Sequence, residues 1–376
     1  MFFGEKLKSV RELNGISRKE LAELINVSEQ AVWQYENQHT VPAFMIINKL
    51  KKLFLVKPQF FYTKPFIKKV SDIEHIAYRS PDREARKKAK METTYLNFVD
   101  YVISDFEQYL APSSNAIAFM SESAYRKSIQ EVAQEARKEL ALSNNKDLMY
   151  RLELAGIYIL EKNIGPNIDA YSTWTKDDRA FIILGNIKKS AVRRNFDLAH
   201  ELGHLLLHKS IEMDSLSRDE YRQIEKEAND FASYFLMPED EFMQDFQAIS
   251  KRSNPYSYLE MKTKYMVSIM ALEYRAYNLG LLTFEENRYF YSYLNRHHLR
   301  AKEPLDEDIS VIKPGKVRAL LSFVFDNKLT TLNKVLDDYN VDVAFLENLL
   351  DIDDDFFHKF QADSAANYFQ LFSNVN

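Results

Sequence analysis

Apolar residues recur at helical spacing along most of this chain, which predicts a largely helical protein. In the middle of the chain the pattern changes to short apolar or alternating runs, which predict strands at 156–160, 168–174 and 180–184. The expected fold class is therefore α+β and mostly helical, with one small sheet among the helices.

The apolar pattern of the first fifty or so residues predicts a bundle of short helices. The stretch Ser17-Arg18-Lys19-Glu20 is a capping box, and it predicts that a helix begins there and runs over about 18–25. A second helix is predicted at about 29–36, joined to the first by a tight turn at 26–28. This spacing is typical of a helix-turn-helix.

In a helix-turn-helix, the second helix enters the DNA major groove with its N-terminal residues facing base edges. That face would carry Ser28, Gln30 and Gln34, and Arg18 could reach a phosphate or a base. Gln pairs well with adenine edges, whereas Ser and Arg suit phosphate contacts. Small bundles with this connectivity can also serve as dimerisation or protein-docking modules, so that alternative stays open.

The segment resembles the Cro/repressor (XRE) class of helix-turn-helix domains. Its closest match is S-x-x-x-x-W-x-Y-E-N at 28–37. The resemblance implies a DNA operator as a partner. Proteins of this class often bind as dimers on two-fold sites, so we expect a homodimer.

The 376-residue chain is 46% hydrophobic and 13% aromatic, enough to bury a large core in two or three domains. It contains no cysteine, which excludes disulfides and cysteine-ligated zinc. The first residues lack a signal-peptide core, and no run approaches the roughly 18 apolar residues that span a membrane. We therefore expect a soluble, cytoplasmic protein without a membrane partner.

The net charge of −5 is unevenly spread along the chain. Residues 1–64 contain ten Lys and Arg against six Asp and Glu, a net charge of +4, so the remaining residues carry −9. The basic part of the chain thus coincides with the predicted helix-turn-helix.

The segment 195–208 contains H-E-x-x-H and has the pattern of a helix buried on one side. His200 and His204 would lie one turn apart, about 6 Å along the axis, and could offer ring nitrogens to one metal ion. Glu201 would point in a neighbouring direction, where it could take a proton from a zinc-activated water without being a ligand. Polar rings in an apolar helix are costly unless something satisfies them, and a metal would do so. This layout is typical of a zinc hydrolase.

A zinc site of this kind needs a third protein ligand. His208 is about 12 Å from His200 along the axis, too far to share a tetrahedral ion, and we expect it to cap the helix end. A second amphipathic helix, which ends at Pro238, carries Glu225 at the edge of its buried face. A buried carboxylate needs a partner, and zinc would be that partner if Glu225 is the third ligand. Glu227, rotated further from the buried face, stays open as the alternative.

These segments resemble the ImmA/IrrE family of bacterial and phage-related metallopeptidases. The family signature is a H-E-x-x-H helix preceded by R-x-x-F-x-x-A and followed by E-x-x-A-[DN]-x-F-A-x-x-[LF]-[LM]-x-P, found here at 200–204, 193–199 and 225–238. The resemblance implies a zinc endopeptidase that cuts a repressor-type protein. It also implies that the zinc ligands are His200, His204 and Glu225, and that Glu201 is the general base.

Together the patterns predict four segments: a helix-turn-helix domain at 1–65, a helical connector at 66–115, a zincin-like metallopeptidase domain at 116–305 and a helical C-terminal region at 306–376. The expected function is a DNA-binding regulator fused to a zinc endopeptidase. One alternative is a DNA-binding repressor with a structural or sensing zinc site and no proteolysis. Another is a protease whose N-terminal bundle docks a protein instead of DNA.

Overall fold

The computed structural model of the chain describes residues 1–65, 67–70, 83–111, 115–165, 168–186, 190–213 and 216–361. Parts of the predicted connector (66, 71–82 and 112–114) and the end of the predicted C-terminal region (362–376) lie outside these residues. The chain divides into two compact units, the first from residues 1–112 with 316–376 and the second from 113–315. The four segment boundaries expected from the sequence remain a prediction.

Helices dominate both units, and the expected α+β, mostly helical fold class is confirmed. The first unit contains α1 (Gly4–Leu13), α2 (Arg18–Ile25), α3 (Glu29–Glu36), α4 (Phe44–Phe54), α5 (Arg83–Glu107), α15 (Lys316–Asp326), α16 (Leu332–Tyr339) and α17 (Val343–Leu350). The second contains α6 (Ala116–Ser123), α7 (Ile129–Glu139), α8 (Leu148–Leu154), β1 (Tyr158–Lys162), β2 (Ala170–Trp174), β3 (Ala180–Gly185), α9 (Ala191–Leu207), α10 (Arg218–Leu236), α11 (Glu239–Gln247), α12 (Leu259–Tyr265), α13 (Ile269–Asn278) and α14 (Phe284–Arg296). Across the described residues, we find no helix with the length and apolarity that a membrane crossing requires.

Helices α2 and α3 have the bounds that the sequence predicts. The Ser17 hydroxyl accepts from the Glu20 N–H, and the Glu20 carboxylate accepts from the Ser17 N–H, which forms the expected capping box. Asn26 ends α2 in the left-handed region (φ 59°) and so turns the chain into α3. Leu21 and Val32 are fully buried, so both helices turn an apolar side inward.

Helices from the C-terminal part of the chain belong to the same compact unit as the helix-turn-helix. Val56 and Val341 form an antiparallel backbone bridge. Phe98 of α5 contacts Phe345 of α17, with ring centroids 5.8 Å apart. Segments from the first third of the chain and helices from its last described part therefore pack in one compact unit.

The sheet of the second unit has the strand order β1-β3-β2. Strand β3 is parallel to β1, antiparallel to β2 and buried along its whole length, which explains its continuous apolar sequence. Strand β2 lies at an edge, with Tyr171 and Thr173 buried and Ser172 between them only partly buried. The face of β2 that carries Ser172, together with Ala170 and Trp174, is thus partly accessible.

The long helices α9 and α10 pack against each other in the second unit. Gly203 of α9 faces α10 so closely that a Cβ added there would lie 3.0 Å from the Phe231 ring and 3.3 Å from the Ala228 Cα. Any larger residue at this position would force a shift of the Phe231 ring or of the helices. Gly203 therefore permits the short distance between α9 and α10.

A buried asparagine joins three segments of the second unit. The Asn145 side chain is almost fully buried, and its amide nitrogen donates to the carbonyls of Leu236 at 2.8 Å and Tyr265 at 2.6 Å. Its amide oxygen accepts from Arg137 at 2.8 Å. Because Leu236 lies in the last turn of α10, its carbonyl has no partner within the helix, and Asn145 supplies one.

We expect Asn145→Ala to destabilise the second unit by about 2–4 kcal/mol, because two buried carbonyls would lose their donor. The measurement is the unfolding free energy of the full chain in urea. Asn278→Ala is the matched control, since Asn278 is an exposed asparagine of the same unit. Equal stability of the two variants would contradict a supporting role for Asn145.

Candidate metal centre

Helix α9 carries the two histidines of the H-E-x-x-H motif on one side. The Nε2 atoms of His200 and His204 lie 3.0 Å apart, and the ring centroids are separated by 4.7 Å. Both side chains are about 85% buried. The one-turn spacing predicted from the sequence therefore does place both ring nitrogens at a single point.

Helix α10 brings one carboxylate to this point. Glu225 Oε2 lies 3.9 Å from His200 Nε2, and Glu225 Oε1 lies 3.7 Å from His204 Nε2. Glu227 does not approach these atoms in the same way: its Oε2 lies 3.1 Å from His208 Nε2. Of the two glutamates that the sequence leaves open, Glu225 is the one that the fold places beside both histidines.

The Nδ1 atom of each motif histidine, which we call its outer nitrogen, lies within hydrogen-bond distance of another side chain. His200 Nδ1 lies 3.0 Å from Asn229 Oδ1, one turn of α10 beyond Glu225. His204 Nδ1 lies 3.1 Å from His208 Nδ1. Both rings therefore turn Nε2 toward Glu225 and Nδ1 toward a hydrogen-bonding side chain.

His208 occupies the C-cap position of α9, as expected, but the reason given from the sequence is wrong. A helix dipole favours a charged cap, whereas the His208 side chain is only 2% exposed and burial lowers its pKa, against the effect of Glu227. A neutral, buried His208 contacts His204 and Glu227 instead of interacting with the dipole as a cation.

Burial and hydrogen bonding shift the pKa values of His204 and Glu227. Burial, together with the neighbouring rings of His200 and His208, lowers the pKa of His204 well below its ordinary value. Burial acts to raise the pKa of Glu227, but hydrogen bonds from Gln223 and His208 outweigh it and the pKa is lowered. At neutral pH His204 is therefore neutral and the Glu227 carboxylate is charged.

Glu201 lies between α9 and the edge strand β2. Its side chain is buried, and its Oε2 accepts a hydrogen bond from the Ser172 hydroxyl at 2.7 Å. Trp174, two residues further along β2, donates from its indole nitrogen to the Leu205 carbonyl at 3.1 Å. Two contacts thus tie β2 to the helix that carries the motif.

The donor set fits a zinc ion. His200, His204 and Glu225 each offer one ligand atom, and these atoms all lie within 4.8 Å of one another. Ligands at zinc distances in a tetrahedron are about 3.3 Å apart, close to the separations in this structure. Two neutral imidazoles and one carboxylate, with a fourth position for water, form the donor set of many catalytic zinc sites.

The residues predicted to contact DNA lie on α2 and α3. Ser28 at the N-cap of α3 and Gln30 in its first turn are exposed, whereas Gln34 lies in the second half of α3 and is half-buried. The Ser28 hydroxyl caps α3 by accepting from the Ala31 N–H at 3.1 Å. Arg18 is partly committed elsewhere, because its Nε donates to the buried Glu36 carboxylate at 2.6 Å. DNA contact by these four residues remains a prediction.

Sequence reasoning missed three contacts of this centre. Asn229 follows Glu225 at i+4, and that spacing on one helix was a usable signal. Ser172 lies 29 residues before Glu201, and only the sheet brings the two together. The His208–Glu227 contact likewise depends on how α9 packs against α10.

Two family models match this chain. Residues 152–277 match the IrrE N-terminal-like domain, Peptidase M78, which spans the sheet, α9, α10 and the whole metal centre. Residues 7–61 match a helix-turn-helix domain that includes α2 and α3. A search of curated proteins returned no match. The chain thus joins a helix-turn-helix DNA-binding domain to a metallopeptidase domain of the IrrE N-terminal-like type, which is the ImmA/IrrE architecture.

Proposed function

We propose that this protein is a cytoplasmic DNA-binding regulator whose second unit is a zinc endopeptidase that cleaves a repressor-type regulatory protein. The observation that carries the proposal is the convergence of His200, His204 and Glu225 with Glu201 next to them on α9. Three ligands with an adjacent carboxylate that is not a ligand form the set used for metal-assisted peptide hydrolysis.

His200, His204 and Glu225 would hold the zinc ion. When bound, zinc supplies Lewis-acid chemistry, which activates a water molecule and polarises a peptide carbonyl. Glu201 then acts as the general base: it takes the proton of the attacking water and passes it to the leaving amine. The hydrogen bond from Ser172 restrains the Glu201 carboxylate beside the edge strand β2.

The sheet offers a place for an extended peptide. Because β2 is an edge strand of the sheet that the described residues form, its outer side is where a further strand could add. A substrate segment could add to β2 by backbone hydrogen bonds, and Ser172 of this strand contacts Glu201. An unfolded or flexible segment of the substrate protein would suit this mode of binding.

The helix-turn-helix gives the peptidase a DNA partner. Gln30 and Gln34 of α3 would contact base edges, and Ser28 would contact the phosphate backbone. A homodimer on a two-fold operator is the assembly that we propose for DNA binding. A repressor that binds nearby on the same DNA would then be a substrate within reach.

We expect Glu201→Gln to retain zinc and to lose about 10²–10⁴-fold in the cleavage rate, because the amide cannot accept the proton. The measurement combines zinc content with cleavage of repressor-like proteins encoded beside the gene. Glu260→Gln, an exposed glutamate in the same unit, is the control and should cleave normally. Zinc in the wild type without any cleavage would instead favour a DNA-binding repressor with a structural or sensing metal.

Glu225→Ala should weaken zinc binding by more than about 100-fold, since losing a residue that binds the ion costs more than losing one that only contacts a ligand. The zinc dissociation constant is measured by competition with a chelator. Asp219→Ala on the same helix is the control, because its carboxylate is 91% exposed. Normal zinc affinity in Glu225→Ala would remove Glu225 from the ligand set.

Gln30→Ala and Gln34→Ala should each reduce operator affinity by about 1–3 kcal/mol and relax the preference for adenine at one position. Fluorescence anisotropy at fixed salt, with an operator selected from random duplexes, measures this loss. Gln59→Ala is the matched control, because Gln59 is exposed outside α2 and α3. A wild type that enriches no duplex would indicate that the bundle docks a protein.

A further inference from the structure

Two side chains beside the metal centre have no role in the proposed reaction, yet they are connected to one of its ligands. His208 contacts His204 Nδ1, and Glu227 contacts His208 Nε2, each at 3.1 Å. We propose that His208 and Glu227 are positioning residues that hold His204 in its metal-binding tautomer and ring orientation. This inference rests on the proposed zinc site.

The direction of the hydrogen bonds follows from the ligand atom. His204 turns Nε2 toward His200 Nε2 and Glu225, so that nitrogen must keep its lone pair for a metal. A neutral imidazole has one N–H, which then lies on Nδ1 and donates to His208 Nδ1. The proton of His208 is therefore on Nε2, where it donates to the Glu227 carboxylate.

The hydrogen bonds among His204, His208 and Glu227 are compatible with one another only when each proton is donated toward Glu227. A carboxylate accepts and never donates when ionised, so Glu227 fixes the tautomer of His208, and His208 in turn fixes that of His204. If His208 carried its proton on Nδ1, it would face the N–H of His204 and the pair would lose its bond. A metal-binding histidine often donates its other N–H directly to a carboxylate. Here a second imidazole lies between the histidine and the carboxylate, and we call the Glu227–His208–His204 arrangement the relay.

The packing supports a positioning role for the His208 side chain beyond its place at the helix end. The cap itself is a backbone bond, from the His208 N–H to the His204 carbonyl at 3.0 Å, and any residue except proline would preserve it. The imidazole is 2% exposed, so its orientation is restricted by its surroundings, whereas the Glu227 side chain is 31% exposed. Glu227 can therefore be changed with little loss of core packing.

The two ligand histidines are supported by different means. His200 donates to the neutral amide oxygen of Asn229, at 3.0 Å and in a single step. His204 donates to the His208 ring, which in turn donates to the Glu227 carboxylate. The negative charge of Glu227 is therefore two hydrogen bonds away from His204. That charge makes His204 a stronger electron donor than an isolated imidazole would be.

The test uses Glu227→Leu and Glu227→Gln in the full chain, with His208→Leu as a second variant and Arg222→Leu as the control. Leucine at 227 removes the acceptor, whereas glutamine retains a carbonyl oxygen for His208 Nε2. Arg222 lies on the same helix with a 77% exposed side chain. The readouts are the zinc dissociation constant against a chelator, the visible spectrum of the Co²⁺-substituted protein and the melting temperature without metal.

We expect Glu227→Leu and His208→Leu to weaken zinc binding by about 10–100-fold, the usual effect of replacing a residue that orients a metal ligand. Both variants should also alter the Co²⁺ spectrum. Glu227→Gln should recover most of the affinity with a metal-free melting temperature close to that of the wild type, and Arg222→Leu should equal the wild type. If His208→Leu does not fold, the comparison of Glu227→Leu with Glu227→Gln is sufficient to test the proposal.

Wild-type zinc affinity and an unchanged Co²⁺ spectrum in Glu227→Leu would overturn the inference, and so would equal weakening by Leu and Gln at 227. In either case the wild type still binds zinc and the proposed function stands. A wild type that binds neither zinc nor Co²⁺ overturns both the proposed function and the relay.

Discussion

The close packing of α9 against α10 is the constraint on which the metal centre depends. The motif places two histidine nitrogens on α9, but the third candidate ligand belongs to a helix that begins after an intervening loop. Gly203 lies between the two motif histidines in sequence, on the side that faces Phe231 and Ala228. Its missing side chain lets α10 approach until Glu225 reaches both rings. The same residue that shapes the core thus determines the geometry of the site.

Burial then turns this packing into suitable chemistry. A histidine that is removed from water loses its tendency to bind a proton, and the lowered pKa of His204 leaves its lone pair free at neutral pH. The cost of burying polar rings is offset because each outer nitrogen finds a partner, Asn229 for His200 and His208 for His204. Hydrophobic packing and hydrogen bonding therefore act together to present two Nε2 atoms at one point.

The helix-turn-helix is built by a similar combination of local and distant constraints. Capping by Ser17 and Ser28 defines where α2 and α3 begin, and these signals lie within each helix. The surrounding core is not local, because helices from the last fifty described residues pack into the same unit. Phe345 of α17 reaches Phe98 of α5, nearly 250 residues earlier in the chain. The C-terminal region thus contributes to the stability of the unit that carries the helix-turn-helix.

The sequence by itself determined the elements whose signals are short. The capping box predicted where α2 begins, the H-E-x-x-H spacing predicted that two histidine nitrogens lie together, and the apolar run at 180–184 predicted a strand. Only the tertiary structure decided which glutamate joins the histidines, which strand is an edge and which partners the outer nitrogens have. Glu225 and Glu227 are two residues apart on one helix, and their different partners depend on how α10 is rotated against α9. That rotation is set by side-chain packing between residues distant in sequence, which periodicity within one helix cannot encode.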